Sequence, residues 1–228
     1  IIENLPFSEY LKVEALSNSA MENFLLSPAH YRYFKRHPKP NTEATLFGTL
    51  VHTAILEPEN ISKYVVKPED YDGRTKAGKE WKAQIEEAGQ IAVDRSDLES
   101  ANRVGEELRN MQEMNLGAVI RSSKKELSVF WVKDGIRRKA RLDIYSEQTA
   151  AIVDVKTTRH PRKDAFEREI WSRGYHRKCA WYKEGIEANG LPYKISLFIA
   201  IDNNDGPRDY KPYLLLPEVL DLGIKQND

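Results

Sequence analysis

The sequence predicts a mixed α/β (α+β) fold in which a central mixed β-sheet is flanked by helices. Helix start signals and helical periodicity dominate residues 1–120, whereas short alternating apolar and polar runs, separated by turn residues, begin at Lys125. Helical patterns then return between the later strands. The length of 228 residues suits one domain. We therefore expect a single domain over 1–228, with a mostly helical part at 1–120 and a sheet core at 121–228.

The predicted helical part is defined by its capping signals. Ser17 or Asn18 caps a first helix, and Ser27 followed by Pro28 starts a second. The polar, glycine-punctuated segment Asp72–Lys79 is predicted to be a loop, and Ser96 is predicted to cap a longer amphipathic helix. The predicted helices span 17–24, 28–34, 44–56, 80–87 and 96–111, and a short strand is predicted at 63–67.

The predicted sheet core begins with three strands joined by short turns, which form an antiparallel meander. They span 126–132, 137–145 and 151–158. A helix over 164–187 follows, interrupted near Gly174, and further strands are predicted at 193–201 and 210–216. A last helix starts at Pro217 and stops abruptly at Asp228, so we expect part of this helix to be missing from the chain.

Composition excludes several classes of protein. The 40% hydrophobic and 31% charged residues are typical of a globular chain, and no apolar run approaches the roughly 18 residues of a membrane span. No signal-like N-terminus is present, and no membrane partner is expected. The single cysteine, Cys179, excludes an internal disulfide framework and a four-cysteine metal or iron–sulfur site. It fits a reducing compartment, and we expect a cytoplasmic protein.

A small charged cluster at the ends of two predicted strands carries most of the functional signal. Asp143 lies near the end of one strand, and Asp154 and Lys156 share one face of the next because side chains alternate along a strand. Carboxylates set against an apolar sheet are costly unless they bind a cation. This arrangement predicts a magnesium-dependent phosphodiesterase, in which Lys156 orients or deprotonates the attacking water. The competing interpretation is a surface salt bridge between Asp154 and Lys156.

Basic residues concentrate around this cluster although the chain has 35 basic and 35 acidic residues. One run contains Arg74, Lys76 and Lys79, and another leads through Arg141 into Asp143. Such runs favour contact with a polyanion such as the DNA backbone, and solvated surfaces are the alternative for each run.

Several sequence blocks resemble the PD-(D/E)xK nuclease superfamily and, more narrowly, the RecE-type exonucleases of prophage recombination systems. The blocks are SPAHY (27–31), FGTLVHTAILEPE (47–59), GRTKAGKEW (73–81), ELSVFW (126–131), RLDIY (141–145), IVDVKTT (152–158) and YHRKCAWY (175–182). The resemblance implies a restriction-endonuclease-like core. It also implies an active site of His52, Asp143, Asp154 and Lys156, with the Val155 carbonyl as a further metal ligand. A lone histidine in an apolar helix is otherwise more often a core residue.

Four further positions follow from the same resemblance or from local signals. The family places an acid at Glu126, which we expect to be a metal ligand, a neighbour of one, or an exposed strand end. The family often carries glutamine four residues before Tyr182, but this chain has Lys178 there. Lys178 could contact a phosphate instead, and Tyr182 either joins it or packs the helix. Ser27, at a helix N-terminus, could bind a 5′-phosphate or act as a plain cap.

Together these features predict an exonuclease that uses Mg²⁺, or Mn²⁺ in its place, and digests linear double-stranded DNA. The resemblance implies 5′→3′ polarity, 3′ overhangs, a trimeric or tetrameric ring, a single-strand annealing partner, and a bacterial or prophage origin. The alternatives are an endonuclease, an exonuclease of another polarity, or a non-catalytic DNA-binding subunit of the same fold.

Overall fold

A computed structural model describes residues 1–37, 43–204 and 208–227. Within them the α-helices are α1 (Phe7–Lys12), α2 (Asn18–Leu26), α3 (Pro28–Arg36), α4 (Glu43–Leu56), α5 (Lys76–Glu87), α6 (Arg95–Asn110), α7 (Leu116–Ser122), α8 (Lys163–Ser172), α9 (Tyr175–Ala188) and α10 (Pro217–Asn227). The strands are β1 (Leu16–Ser17), β2 (Tyr64–Val66), β3 (Ile91–Val93), β4 (Lys124–Lys133), β5 (Ile136–Ser146), β6 (Ala151–Thr158), β7 (Ile195–Asp202) and β8 (Tyr210–Leu214). No described helix is both long enough and apolar enough to cross a membrane.

The chain divides into two compact units. The first, called here the sheet unit, contains Ile1–Asn41, Arg121–Asn204 and Asp209–Asp228. The second, called the helical unit, contains Thr42–Ile120 and Asp205–Arg208. Residues 1–37 thus group with the sheet.

The sheet unit is built on a mixed sheet of six strands. β4, β5 and β6 form the predicted antiparallel meander, β6 pairs with β7 in parallel, and β8 closes the far edge antiparallel to β7. β5 shares one edge between two partners: Ile144–Ser146 pair with β6, whereas Arg138 and Lys139 pair with β1 in parallel. This mixed sheet with its flanking helices confirms the predicted fold class.

Helix α9 packs its apolar residues against the sheet. Trp181 and Ile186 are fully buried and join a cluster with Leu127 and Leu142 of β4 and β5. A second cluster joins α8, α9 and α10 to β7 around Phe198. Burial of this many large side chains is the main stabilising contribution to the unit.

Helix starts follow the predicted caps at some positions and depart from them at others. Ser17 and Ser27 each accept a hydrogen bond from a backbone amide in the first turn of α2 and α3, which confirms both caps. The predicted loop over Asp72–Lys79 is wrong from Lys76 onward, because Thr75 Oγ1 accepts from the Gly78 amide and starts α5 there.

Two glycines are required by the backbone around these elements. A Cβ at Gly78 would lie 2.0 Å from the Asp72 carbonyl oxygen, so only glycine fits the first turn of α5. Gly174 separates α8 from α9 with φ of 65°, which confirms the predicted interruption. The predicted cap at Ser96 is wrong by two residues: Asp94 holds the N-cap position of α6, and its carbonyl accepts from the Leu98 amide.

Candidate active site

Asp143 lies at the point where β5 and β6 stop pairing and separate. The two strands pair only from Ile144↔Val153 to Ser146↔Ala151. Beyond that point the Asp143 carboxylate replaces the missing strand partner, because its Oδ2 accepts a hydrogen bond of 2.7 Å from the Val155 amide. A buried amide would otherwise lose a hydrogen bond, so this contact satisfies the backbone and holds the carboxylate beside β6.

The carboxylate of Asp154 is buried between two lysines. Only 1% of its side chain is exposed, its Oδ2 is paired with Lys156 Nζ, and its Oδ1 lies 2.9 Å from Lys178 Nζ. Lys156 Nζ also donates to the Val155 carbonyl at 3.0 Å. The two ammonium groups therefore contact both Asp154 oxygens and a backbone carbonyl of the same strand. Three residues identified from the sequence, Asp154, Lys156 and Lys178, thus lie together.

The charges at this cluster shift its protonation equilibria. Burial alone would favour protonated Asp154, but the ammonium groups of Lys156 and Lys178 hold the pKa of this carboxyl below its usual value. Burial lowers the pKa of Lys156, and the positive charge of Lys178 acts in the same direction. Asp154 is therefore ionised at neutral pH. Lys156 loses its proton more easily than an exposed lysine does, because it is buried.

Glu126 joins the carboxylates from the neighbouring strand. The register places it opposite Asp143, between the pairs Lys125↔Ile144 and Leu127↔Leu142. A carboxylate oxygen of Glu126 lies within 4.8 Å of one of Asp143. Its backbone has φ of 50°, in the left-handed region, which turns this residue out of the regular strand. The position is compatible with the predicted ligand role, which stays a prediction.

Arg141 balances the charge of Glu126. Its Nε is bound to the Glu126 carboxylate, and its Nη1 is bound to the Leu5 carbonyl. The guanidinium thus links β4, β5 and the N-terminal segment. A phosphate contact by Arg141, which the basic run suggested, remains a prediction.

A cavity of roughly 460 Å³ adjoins the two lysines within the sheet unit. Lys156, Lys178 and Arg173 contribute cationic groups, whereas Tyr175 and Phe34 contribute aromatic rings. The remaining lining residues come from α2: Asn18, Ser19, Glu22 and Asn23. Its volume lies in the range of about 300–1,000 Å³ that is typical of small-molecule sites.

Sequence reasoning did not find the α2 residues of this cavity. Asn18 Oδ1 is buried and lacks a hydrogen-bond partner among the described residues. Short polar residues at the start of a helix are ordinarily explained by capping, so no local signal marks them as lining residues. Tyr175 lies in one of the quoted blocks, and Arg173 belongs to a basic run that follows Lys156 in the sequence and favours contact with a polyanion.

The oxygen donors of the cluster fit a divalent cation such as Mg²⁺. Asp143 and Asp154 supply carboxylates and Val155 supplies a backbone carbonyl, and all three are the hard oxygen ligands that Mg²⁺ prefers. The thiol of Cys179 is buried next to this region, but burial raises its pKa to about 12, so it supplies no thiolate ligand. The donor set therefore favours a hard cation over a thiophilic one.

Tyr182 supports the cluster from α9. It is buried, and its hydroxyl donates to the Arg141 carbonyl at 2.9 Å. Lys178 Nζ lies 5.1 Å from the centroid of the Tyr182 ring, one helical turn away. Tyr182 therefore packs α9 against β5 and provides a surface for the Lys178 side chain, while its predicted phosphate contact stays a prediction.

The other predicted residues lie elsewhere. His52 is half-buried on α4 in the helical unit, so its part in the site remains a prediction. Arg74, Lys76 and Lys79 are exposed in the same unit; Arg74 is paired with Asp72, and both lysines lie on or at the start of α5. In the sheet unit, Ser27 Oγ accepts from the His30 amide and lies 2.8 Å from His30 Nδ1.

Comparisons with known proteins agree with this architecture. The family model for a PDDEXK-like domain of unknown function (DUF3799) matches residues 17–226. A protein from Eubacterium rectale, described as a candidate exonuclease, has a crystal structure with a TM-score of 0.62 and 16% identity, covering 93% of this chain and 77% of that one. A phage-related exonuclease from Haemophilus somnus 129PT gives a TM-score of 0.34 and 14% identity, over 79% of this chain and 87% of that one. No curated protein matches. At these identities the likeness shows the fold alone.

Proposed function

This chain belongs to the DUF3799 family of PDDEXK-like domains, as the resemblance to the PD-(D/E)xK superfamily predicted, and we propose that it is a divalent-metal-dependent deoxyribonuclease. Its substrate is linear double-stranded DNA, which it digests from the ends with Mg²⁺ as cofactor. The observation that carries the proposal is the junction of Asp143, Asp154 and Lys156 at the point where β5 and β6 diverge. The similar solved structure that is described as an exonuclease favours the choice of an end-directed activity.

Each residue of the cluster has a separate task in this proposal. Asp143 and Asp154 bind the cation together with the Val155 carbonyl, and the hydrogen bond from the Val155 amide fixes the direction of the Asp143 carboxylate. A divalent cation at this position would lower the pKa of water and stabilise negative charge on the phosphate. Burial lowers the pKa of Lys156, and a neighbouring divalent cation would lower it further. The neutral amine of Lys156 then orients the attacking water and accepts its proton.

The buried environment makes this electrostatic arrangement effective. Asp154 is almost fully enclosed, so interactions between its carboxylate and nearby cations are weakly screened by solvent. The adjoining cavity with Lys178 and Arg173 offers positive charge to a phosphate, and its aromatic rings offer surfaces to a sugar or base.

The experiment compares linear and covalently closed circular duplex DNA in the presence of Mg²⁺. We expect the wild-type protein to release nucleotides from linear DNA and to leave circles intact, and we expect Asp154→Asn to abolish the release. Cleavage of closed circles would instead identify an endonuclease. Binding of duplex DNA without any cleavage by the wild-type protein would identify the non-catalytic DNA-binding subunit of the same fold.

The direction of digestion is the finer part of the proposal. We propose 5′→3′ digestion that leaves 3′ overhangs, a step that prepares ends for strand annealing. Substrates labelled at the 5′ or the 3′ end test it, because early release of the 5′ label is expected and early release of the 3′ label would reverse the polarity. The ring assembly, the annealing partner and the cytoplasmic location stay predictions.

A further inference from the structure

Lys178 occupies an unusual position for a residue expected to contact phosphate. It lies one residue before the buried Cys179 on α9, and its Nζ is 2.9 Å from Asp154 Oδ1. The second oxygen of the same carboxylate is paired with Lys156. Asp154 therefore carries two ammonium partners, although one suffices to balance its charge.

The four charged groups of the cluster form a balanced arrangement. Asp143 and Asp154 carry two negative charges, and Lys156 and Lys178 carry two positive charges. The arrangement is therefore balanced without any metal ion. A divalent cation bound by Asp154 adds two further positive charges to a buried place that already holds two, and repulsion of this kind is strong where solvent screening is weak.

We propose that Lys178 is a competing cation, whose ammonium group leaves Asp154 when a divalent metal ion binds there. This inference rests on the proposed metal-dependent function and deepens it. In the absence of metal Lys178 stabilises the buried carboxylate. When metal binds, its ammonium group moves into the adjoining cavity and becomes available to a substrate phosphate.

The surroundings of Lys178 permit this exchange. Its side chain is 22% exposed and lines the cavity of roughly 460 Å³, so the side chain has open space beside it. The long, flexible lysine stem allows the ammonium group to move while the helix stays in place. Lys156 has less freedom, because it also donates to the Val155 carbonyl and is only 16% exposed.

The exchange makes metal affinity depend on Lys178. Metal ions must displace an ammonium group in the wild-type protein, but not in Lys178→Gln. We expect this variant to bind Mg²⁺ about tenfold more tightly by calorimetry, and to lose several degrees of melting temperature in EDTA. Lys178→Arg retains the charge and is expected to bind Mg²⁺ no more tightly than the wild type.

Lys183→Gln is the matched control for this measurement. Lys183 lies on the same helix and pairs with Glu187 rather than with the cluster. We expect this variant to keep the wild-type Mg²⁺ affinity. Equal affinities in wild type, Lys178→Gln and Lys183→Gln would overturn the exchange, whereas a wild-type protein that binds no divalent metal would overturn the proposed function itself.

A second measurement uses the wild-type protein alone, so that it does not depend on the folding of a variant. Acetylation of lysines is followed by peptide mass spectrometry with EDTA or with Mg²⁺. We expect Mg²⁺ to increase the acetylation of Lys178 severalfold, with Lys183 unchanged as the internal reference. The protein in this experiment is first shown by calorimetry to bind Mg²⁺. Equal acetylation of Lys178 with EDTA and with Mg²⁺ would then contradict the displacement.

Discussion

The ion pair between Lys178 and Asp154 predicts that substitutions of these two residues act non-additively on stability. At 2.9 Å, two unit charges interact by about 6 kcal/mol at an effective dielectric constant of about 20. Part of this is offset by the desolvation of both groups, and Lys156 still balances Asp154 when Lys178 is removed. We therefore expect a coupling free energy of about 2–3 kcal/mol between the two side chains.

A double-mutant cycle measures this coupling. Asp154→Asn, Lys178→Gln and the double variant are unfolded with guanidinium chloride in EDTA, and the free energies of unfolding are compared with that of the wild type. Asp154→Asn is expected to lose about 3–5 kcal/mol because two lysines lose their shared partner. The double variant should lose about 2–3 kcal/mol less than the sum of the single losses.

The control cycle pairs Asp154→Asn with Lys183→Gln. Lys183 has no part in the cluster, so its effect should add to that of Asp154→Asn within about 0.5 kcal/mol. A coupling below about 0.5 kcal/mol in the main cycle would show that the carboxylate and the ammonium group act independently, contrary to the expected ion pair.

Three further predictions concern residues around the cluster. Gly174→Ala should destabilise the protein by about 1–2 kcal/mol in thermal unfolding, because φ is 65° there and a Cβ would lie 2.5 Å from Arg177 Nη2; an unchanged melting temperature would argue against this conformation. Cys179, buried and with its pKa raised to about 12, should resist alkylation at about pH 8 until guanidinium chloride unfolds the protein, and rapid native labelling would contradict its burial. Tyr182→Phe should cost about 1 kcal/mol through the lost hydrogen bond to the Arg141 carbonyl, with calorimetric Mg²⁺ affinity unchanged; a loss of affinity would give the hydroxyl a direct part in the site.

The parts of the fold that the sequence predicts are those specified locally. β6 was predicted at its observed bounds, Ala151–Thr158, because its apolar residues, its polar face and its flanking turns all agree. Ser27 and Pro28 mark the start of α3 by the same local chemistry. At α5 the glycine of the first turn conceals a helix, because Gly78 has low helix propensity and is required only by the way the preceding residues fold back, which brings the Asp72 carbonyl against it.

The short elements escaped prediction because packing specifies them rather than pattern. β1 has two residues and is fixed by pairing with β5, and α1 has only six. Lys139 stabilises the end of α1 by donating to the Tyr10 and Val13 carbonyls, a contact across more than 120 residues of sequence. The local sequence of neither segment predicts this contact.

The candidate site also contains residues that the local sequence predicts and a contact that only tertiary packing specifies. Side-chain alternation near the strand ends identifies Asp143, Asp154 and Lys156 from the sequence. The neighbouring strands β5 and β6 then bring these three residues together. The contact between Lys178 and Asp154 joins residues 24 positions apart and depends on how α9 packs against the sheet. Sequence reasoning therefore found that position 178 departs from the resembled family but could not find what the lysine contacts.

The substitution Lys156→Met asks whether the cluster on β5 and β6 is a phosphodiesterase centre. Lys178 still balances Asp154 in this variant, so the protein should remain folded while it loses the group that handles the proton of the attacking water. The measurement is the release of nucleotides from uniformly labelled linear duplex DNA in Mg²⁺, with Lys183→Met as the control. We expect the rate to fall by about 10²–10⁴-fold in Lys156→Met and to stay near wild type in the control. A folded Lys156→Met protein that digests DNA at the wild-type rate would contradict this role of the cluster.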